Sequence, residues 1–254
     1  ILMRWDYTAE NPHRDARGFE VEELRQDTDE AAYFAQDARR ELSFAEIKSD
    51  LVLGNGARFY NDHAHPEYCT PECARFTDLV LQDRAGERIV MACAAALSRA
   101  RGETVRLYKN NTDFAGHSYG CHENYLVRRF VPLETIEHQL LPFLITRQLY
   151  TGAGRMTPDG FQITQRADFL DEAVSSATTR SRPMVNTRDE PHADPDSFRR
   201  LHVIIGDSNR SQWSTWMKLA VTHLVLCAIV DAFRHGVPSG FEQYAFADPA
   251  AANR

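Results

Sequence analysis

The sequence predicts an α+β fold, because long segments with helical periodicity and short extended runs follow one another without regular βαβ alternation. Four long stretches place apolar residues at intervals of three and four, as amphipathic helices do. Short runs rich in β-branched residues lie between them and are typical of strands. Hydrophobic residues make up 43% of the 254 residues, which is enough for a packed core, and no internal repeat is present.

Helix boundaries follow from capping residues and glycines. The predicted helices cover residues 29–47, 77–101, 133–150 and 211–235. Asp29 can cap the first helix, and Gly102 and Gly236 stop the second and the fourth, because glycine accepts the left-handed conformation at a helix end. Pro142 predicts a bend within the third helix.

Strands are predicted from turn residues and β-branched runs. Asn55-Gly56 lies between two apolar runs, so residues 51–60 are predicted to form a hairpin. Further strands are predicted at residues 105–108, 161–169, 182–186 and 201–206.

Charge and composition exclude several classes of protein. The chain has 29 Lys and Arg residues against 36 Asp and Glu residues, a net charge of −7, which argues against a nucleic-acid partner held by bulk charge. The most apolar stretch, 219–233, is interrupted by Thr222, His223 and Asp231, so no membrane span is expected. The first six residues do not resemble a signal peptide, and five scattered cysteines favour a reducing compartment. A cytoplasmic protein is expected.

The densest group of reactive side chains lies at residues 60–68. If the strand continues to Asp62, Tyr60 and Asp62 share one face, and Glu67 follows a turn enforced by Pro66. One carboxylate could bind a hard metal ion while the other attacks or takes a proton. A polar loop without chemistry is the alternative. A zinc site is a third reading of the same stretch, with candidate ligands His63, His65, Cys69 and Cys73.

Two further groups are candidates for binding. Cys121, His122 and Glu123 lie in a predicted polar loop, where a binding site is favoured over core packing. Arginines such as Arg166 and Arg188 cluster near predicted strand ends and suggest an anion site, although salt-bridged surface arginines explain them as well. No glycine-rich phosphate loop is present, so side chains and a metal ion would have to hold any nucleotide.

These stretches together resemble the Pup ligase/Pup deamidase (PafA/Dop) family of carboxylate-amine ligase-like enzymes, over nearly the whole chain. The runs that carry the resemblance are 55–58 (Asn-Gly-Ala-Arg), 65–68 (His-Pro-Glu-Tyr), 109–113 (Lys-Asn-Asn-Thr-Asp), 119–126 (Tyr-Gly-Cys-His-Glu-Asn-Tyr-Leu), 165–168 (Gln-Arg-Ala-Asp), 186–194 (Asn-Thr-Arg-Asp-Glu-Pro-His-Ala-Asp) and 200–207 (Arg-Leu-His-Val-Ile-Ile-Gly-Asp).

The resemblance implies a glutamine-synthetase-like fold, with an antiparallel sheet that holds ATP and Mg²⁺ and helices packed on one face. It implies a single catalytic domain over residues 1–254 that lacks the family's N-terminal glutamate-bearing strand and its C-terminal small domain. By position, Asp62 is the catalytic aspartate. The residues implied at the metal ions are Tyr60, Glu67 and His122, and those implied at the nucleotide are Arg166, Arg188 and His202.

Within the family, two features favour the depupylase branch over the ligase branch. They are the spacing of Asp-His-Ala-His-Pro-Glu-Tyr at residues 62–68 and the run at residues 10–19. The expected activity is therefore an ATP- and Mg²⁺-dependent amide hydrolysis that deamidates the C-terminal glutamine of Pup or cleaves the Pup–lysine isopeptide bond. Pup and pupylated proteins are the expected partners. A Pup–protein ligase that forms this bond, or a non-catalytic nucleotide- or Pup-binding protein, are the alternatives.

Overall fold

The computed structural model describes residues 15–20, 50–62, 65–113, 116–176 and 182–254. These residues form two compact units, 50–109 in the first and 15–20 with 110–254 in the second. The helix predicted at residues 29–47 lies outside the described residues. The assignment of residues 1–254 to a single domain stays a prediction.

The first unit contains an antiparallel sheet in the order β1-β2-β3. Its strands are β1 (Asp50–Val52), β2 (Arg58–Asp62) and β3 (His65–Cys69). The hairpin predicted around Asn55-Gly56 is confirmed: Gly56 has a φ of 84° and donates its backbone N–H to Leu53 O at 2.9 Å. Glycine adopts this conformation without the steric cost that other residues pay.

The helix α1 (Phe76–Arg101) follows the sheet and ends, as predicted, at Gly102, which has a φ of 69°. It packs on β3 at Gly86, where an added Cβ would lie 2.3 Å from Tyr68 Cδ1. Glycine is therefore required for this close approach between helix and strand. The strand predicted at residues 105–108 is wrong, because this segment forms no ladder with a neighbouring strand.

The second unit is built on a four-stranded sheet in the order β4-β9-β8-β7. The strands of this unit are β4 (Glu123–Arg128), β5 (Arg155–Thr157), β6 (Gly160–Gln162), β7 (Glu172–Ser175), β8 (Pro183–Asn186) and β9 (Phe198–Val203). The pairs β4–β9 and β8–β9 are antiparallel, whereas β7–β8 is parallel, so the predicted antiparallel sheet is in fact mixed. The strands β5 and β6 form a separate hairpin.

Several boundaries differ from the prediction. Residues 123–128 were expected to begin in a polar loop, but they form β4. Of the predicted strand at 161–169, only the first two residues are extended, and Ala167–Phe169 is a short 3-10 helix. The strand predicted at 201–206 begins earlier, at Phe198, and ends at Val203.

The helices of the second unit are α2 (Leu133–Thr146), α3 (Gln148–Thr151), α4 (Gln212–His235) and α5 (Pro249–Asn253). Pro142 lies within α2 without ending it, and the predicted helix over 133–150 is instead divided at Arg147. Ser211 caps α4 through its side chain, and Gly236 ends it with a φ of 65°, as predicted.

The core of this unit lies between one face of the sheet and the helices. Along β9, residues 199, 201 and 203 are buried and alternate with half-buried ones. Leu201 and Val203 join Ile136 and Leu140 of α2 and Ile229 of α4 in one hydrophobic cluster. The predicted α+β class, with helices on one face of a sheet, is confirmed.

By length and composition, α4 is the one helix of the described chain that is apolar enough to cross a membrane. It packs on α2 through a face that includes Val225, Leu226 and Ile229. Lys218 and Thr222 are also buried there. One face of α4 therefore packs into the core of this unit, whereas residues such as Trp213 and Leu224 are exposed.

Candidate active site

In the first unit, the strand pairing brings Tyr60 and Glu67 together. They lie opposite each other in the β2–β3 ladder, and the Tyr60 hydroxyl donates a hydrogen bond to Glu67 Oε1 at 2.6 Å. Asp62 is two residues further along β2, in register with His65. The strand therefore reaches Asp62, as the sequence analysis required. Pro66, however, lies within β3 opposite Asn61, so it does not form the predicted turn, and Glu67 belongs to the same strand.

The surroundings of the Tyr60–Glu67 pair are partly buried and include the thiol of Cys69. Cys69 Sγ lies 3.6 Å from Glu67 Oε1, and the Arg58 guanidinium lies 4.0 Å from the centre of the Tyr60 ring. Burial, followed by the negative charge of Glu67, raises the pKa of Cys69 to about 11. The thiol is therefore protonated at neutral pH, which leaves Glu67 as the anionic oxygen donor of this group.

In the second unit, one register of the sheet carries a polar side chain on each of its four strands. We name Ser175, Asn186, His202 and Asn124 the polar row. Ser175 pairs with Asn186, Asn186 with His202, and His202 with Asn124. Residues in register share a face of the sheet, and the adjacent register, which contains Val203, faces the core. The polar row therefore lies on the face opposite the helices.

A pair of histidines stands at the centre of the polar row. The rings of His122 and His202 are arranged edge to face, with centroids 4.9 Å apart. Gly120 leaves room for this arrangement, because a Cβ there would lie 2.6 Å from His122 Nε2. His202 Nδ1 is buried and has no hydrogen-bond partner among the described residues. A buried nitrogen without a partner requires an explanation, and a bound water, ion or ligand would supply one.

The electrostatic environment of His202 is cationic. Burial lowers the pKa of His202 well below its usual value, and the nearby His122, Arg200 and Arg188 lower it further. His202 is therefore neutral at physiological pH. Arg188 Nε is also buried without a partner in the described part of the chain. Unsatisfied donors in a positively charged environment are what an anion such as a phosphate requires.

Arg166 has a different position from Arg188. It is 1% exposed, its Nη1 donates to Ile204 O and Gly206 O at 2.6 and 2.7 Å, and its Nε donates to Ser118 Oγ at 3.2 Å. The guanidinium thus ties together two loops that flank the histidine pair. This placement favours a bracing role over the direct phosphate contact that the resemblance implies, and the phosphate contact stays a prediction.

Beneath the sheet lies a buried ion pair that sequence analysis did not predict. Arg147 donates to both oxygens of Glu123, at 2.9 and 2.6 Å, and the two side chains are 0% and 2% exposed. Arg147 also donates to Thr222 Oγ1 at 2.6 Å. An added Cβ on Gly206 would lie 2.7 Å from Glu123 Oε1, so a side chain there would collide with this pair.

No group of three or more His, Cys, Asp or Glu side chains is arranged to hold a metal ion within residues 15–20, 50–62, 65–113, 116–176 and 182–254. The zinc alternative therefore has no support there, and its candidate ligand His63 lies outside the described residues. Mg²⁺ is commonly held by one or two carboxylates together with substrate phosphates, and it does not require such a cluster. Glu67 is a carboxylate of this kind in the first unit.

Comparison with known proteins identifies the family. The model of the Pup-ligase protein family matches residues 1–254. A Pup–protein ligase of Bifidobacterium longum (strain NCC 2705) is 78% identical over 213 residues, which cover 81% of this chain and 44% of the relative. A Pup–protein ligase of Bifidobacterium adolescentis is 65% identical over 217 residues, with 82% and 44% covered. The chain thus spans less than half the length of these relatives.

Solved structures agree with this assignment. The structure of the Pup ligase PafA in complex with ADP matches with a TM-score of 0.73 and 42% identity, over 93% of this chain and 52% of that one. A complex between Pup and PafA matches with a TM-score of 0.69 and 40% identity, over 91% and 46%. These neighbours confirm the predicted glutamine-synthetase-like fold.

The comparisons also correct the predicted activity. The depupylase and deamidase interpretation is wrong, because the relatives up to 78% identical are Pup–protein ligases. The spacing at residues 62–68, on which that interpretation depended, does not separate the two activities in this chain. The chain belongs to the Pup-ligase family, because the family model matches residues 1–254 of this chain and because these relatives are Pup–protein ligases.

Proposed function

We propose that this chain carries the nucleotide-binding and catalytic part of a Pup–protein ligase. The reaction joins the C-terminal glutamate carboxylate of Pup to a lysine amine of an acceptor protein through an isopeptide bond. The observation that carries the proposal is the 78% identity to a ligase over four-fifths of the chain. The polar row and its cationic environment support it, because a ligase that forms an amide in water has to bind ATP.

Arg188 and His202 are the proposed nucleotide contacts in the second unit, and His122 beside them is a proposed metal ligand. Their support is local: His202 Nδ1 and Arg188 Nε are buried and lack partners among the described residues, and the neutral state of His202 lets Nδ1 accept or donate a hydrogen bond. In this proposal Arg166 does not contact the nucleotide itself but holds the loops at Ser118 and Gly206 in place.

Asp62, Tyr60 and Glu67 are the proposed reactive group. Amide formation requires that the attacking lysine lose a proton, and a carboxylate at the end of a strand is suited to accept it. We assign that role to Asp62. Glu67, whose Oε1 is oriented by the Tyr60 hydroxyl, is the proposed oxygen ligand of Mg²⁺ in the first unit. Bound Mg²⁺ and ATP supply the activation of the carboxylate of Pup.

The proposed partners are Pup and the lysine-bearing proteins that receive it, and no nucleic acid or membrane is included. The proposed location is the cytoplasm, in keeping with the free cysteines of the described residues.

The test is a conjugation assay with the purified chain. The chain is incubated with Mg²⁺, ATP, Pup that ends in glutamate and a lysine-bearing acceptor, and the products are read by intact mass. The expected product is acceptor plus Pup minus one water, formed only when ATP is present. Asp62→Asn should abolish it, and Asp159→Asn, a change at an exposed turn residue, is the matched control.

Two results would overturn the proposal. One is release of the acceptor from a Pup conjugate, or deamidation of Pup that ends in glutamine, without any conjugate formation. The other is nucleotide binding, measured by calorimetry with ADP, without conjugation by this chain, which would favour a binding protein over a ligase.

A further inference from the structure

A buried lysine and a cysteine are in direct contact beside the histidine pair. Lys218 Nζ of α4 donates a hydrogen bond to Cys121 Sγ at 3.4 Å. Lys218 is 2% exposed, whereas Cys121 is half-buried and so can be reached from solvent. The two residues are 97 positions apart in the chain, so the fold alone brings them together.

The lysine side chain is held in this position from two sides. Its Nζ donates a second hydrogen bond to Asp207 O at 2.7 Å. Its Cδ packs against Gly206, where an added Cβ would lie 3.4 Å away. A lysine at the surface samples many rotamers, but this one is restricted to a geometry that points its nitrogen at the sulfur.

The chemistry of the two groups suits a covalent link. Peroxides oxidise an accessible cysteine sulfur to a sulfenic acid. The sulfenic acid that results condenses with a nitrogen nucleophile when one lies next to it, which gives a sulfenamide. In most proteins the nearest nucleophile is a thiol or a backbone nitrogen, but here it is the Lys218 amine.

We propose that Cys121 and Lys218 form a reversible oxidative cross-link when the protein meets a peroxide. In the first step, the Cys121 thiol attacks hydrogen peroxide, the O–O bond breaks, and sulfenic acid and one water form. In the second step, the Lys218 amine attacks the sulfur, the S–O bond breaks, an S–N bond forms, and a second water leaves. Sulfur is oxidised by two electrons and the peroxide is reduced, so the protein loses two hydrogen atoms.

Other cysteines of the described residues differ in their surroundings. The exposed Cys227 lies 3.4 Å from His223 Nε2. Cys69 lies beside Glu67 and Tyr60, neither of which bears an amine. The sequence contains three lysines, Lys48, Lys109 and Lys218, which makes a linkage at Lys218 simple to identify.

The test is peptide mapping by mass spectrometry after treatment with hydrogen peroxide. A Cys227→Ser background is used, because a disulfide between Cys121 and Cys227 would cause the same loss of mass. Trypsin cannot cut at a modified Lys218, so the expected product joins peptides 110–128 and 211–234, lighter by about 2 Da than their sum. A thiol reductant should return both peptides to their free form.

Matched variants show which atoms are joined. Cys121→Ala and Lys218→Arg should each abolish the joined product, and Cys93→Ser, a change at another exposed thiol, should leave it intact. The measurement on the Cys227→Ser protein is decisive even if Lys218→Arg does not fold.

The proposal is overturned if Cys121 proceeds to sulfinic acid with Lys218 still cleaved by trypsin. It is also overturned if the joined peptides persist in a folded Lys218→Arg protein. Because the readout is mass, neither result depends on whether the chain ligates Pup.

Discussion

The buried pair of Glu123 and Arg147 makes a direct prediction about stability. Replacing Arg147 with methionine removes the charge and its hydrogen bonds while it keeps a side chain of similar length. Glu123 is then left in the core, where its carboxylate is 2% exposed and Lys218 provides the remaining nearby positive charge. We expect Arg147→Met to be among the most destabilising substitutions in the second unit.

The magnitude follows from the geometry of the pair. Arg147 makes two hydrogen bonds to Glu123 and a third to Thr222, all between 2.6 and 2.9 Å. Removal of one partner from a buried pair typically costs about 3–5 kcal/mol, because the other charge is left uncompensated. Replacing both charges with apolar residues should cost less, since neither member of the pair is then left buried without its partner. The double variant Arg147→Met/Glu123→Leu should therefore be more stable than Arg147→Met alone.

The pH dependence has a definite sign. Burial by itself would raise the pKa of Glu123, but the charges of Arg147 and Lys218 and the hydrogen bonds of the carboxylate outweigh it, so the pKa lies below its usual value. A lowered pKa contributes stability that is present above the ordinary glutamate pKa and is lost as the pH falls through the lowered one. The cost of Arg147→Met should accordingly be largest near neutral pH.

The assay is urea unfolding of the wild type, both single variants and the double variant. Asp231→Asn is the control, because its exposed pair with Arg234 at 3.5 Å should contribute less than about 1 kcal/mol. If Arg147→Met lowers the free energy of unfolding by less than about 1 kcal/mol, or if the double variant is the least stable of the set, the reasoning about the buried pair is wrong.

Three further predictions concern other parts of the molecule. Gly86→Ala should destabilise the first unit by about 1–3 kcal/mol, because its Cβ would meet the Tyr68 ring; an unchanged melting temperature would contradict this. Burial raises the pKa of Glu137 to about 7, so wild-type stability should fall as the pH rises from the usual glutamate value through about 7. In Glu137→Gln the denaturation midpoint should no longer fall with pH over this range. The prediction is wrong if the midpoints of both proteins change with pH by the same amount. Arg188→Ala should weaken ADP binding by about tenfold or more without a change in stability, whereas Arg166→Ala should lower stability. Calorimetry with ADP and urea unfolding test the two variants. If Arg166→Ala weakened binding and Arg188→Ala lowered stability, the proposed roles would be wrong.

The parts of the fold that were predicted correctly depend on local chemistry. A glycine with a positive φ forms the hairpin at Asn55-Gly56 and ends α1 and α4 at Gly102 and Gly236. The presence of glycine at such a position predicts the turn or helix end without knowledge of tertiary contacts. The strand β4 was missed because Glu123 and Asn124 make its first residues polar. Their polarity has two different causes, since Glu123 pairs with Arg147 in the core and Asn124 belongs to the polar row.

The candidate site residues were chosen from the sequence, but their arrangement could not be. Tyr60 and Glu67 are in contact because they are opposite in a ladder, whereas the sequence analysis placed Tyr60 on a strand and Glu67 after a turn at Pro66. Arg166 was grouped with Arg188 by residue type, but only the structure shows that its guanidinium is occupied by carbonyl groups. The choice of depupylase failed for a related reason. A difference of one residue between two strands changes the length of a connection, and connections tolerate such changes without a change in chemistry.

Strand alternation connects the buried ion pair to the candidate nucleotide site. Along β4, Glu123 lies on the helix side and Asn124 on the open side, and opposite them on β9 are Val203 and His202. A shift of one residue in this register would place the carboxylate among the ligand-binding groups and Asn124 against Arg147. Mispairing would leave the buried charges without their partners, so this cost favours the observed register, which places His202 in the polar row. Apolar residues in place of the ion pair could give the same stability, but they would not penalise a shifted register in this way. This is a reason to retain the ion pair.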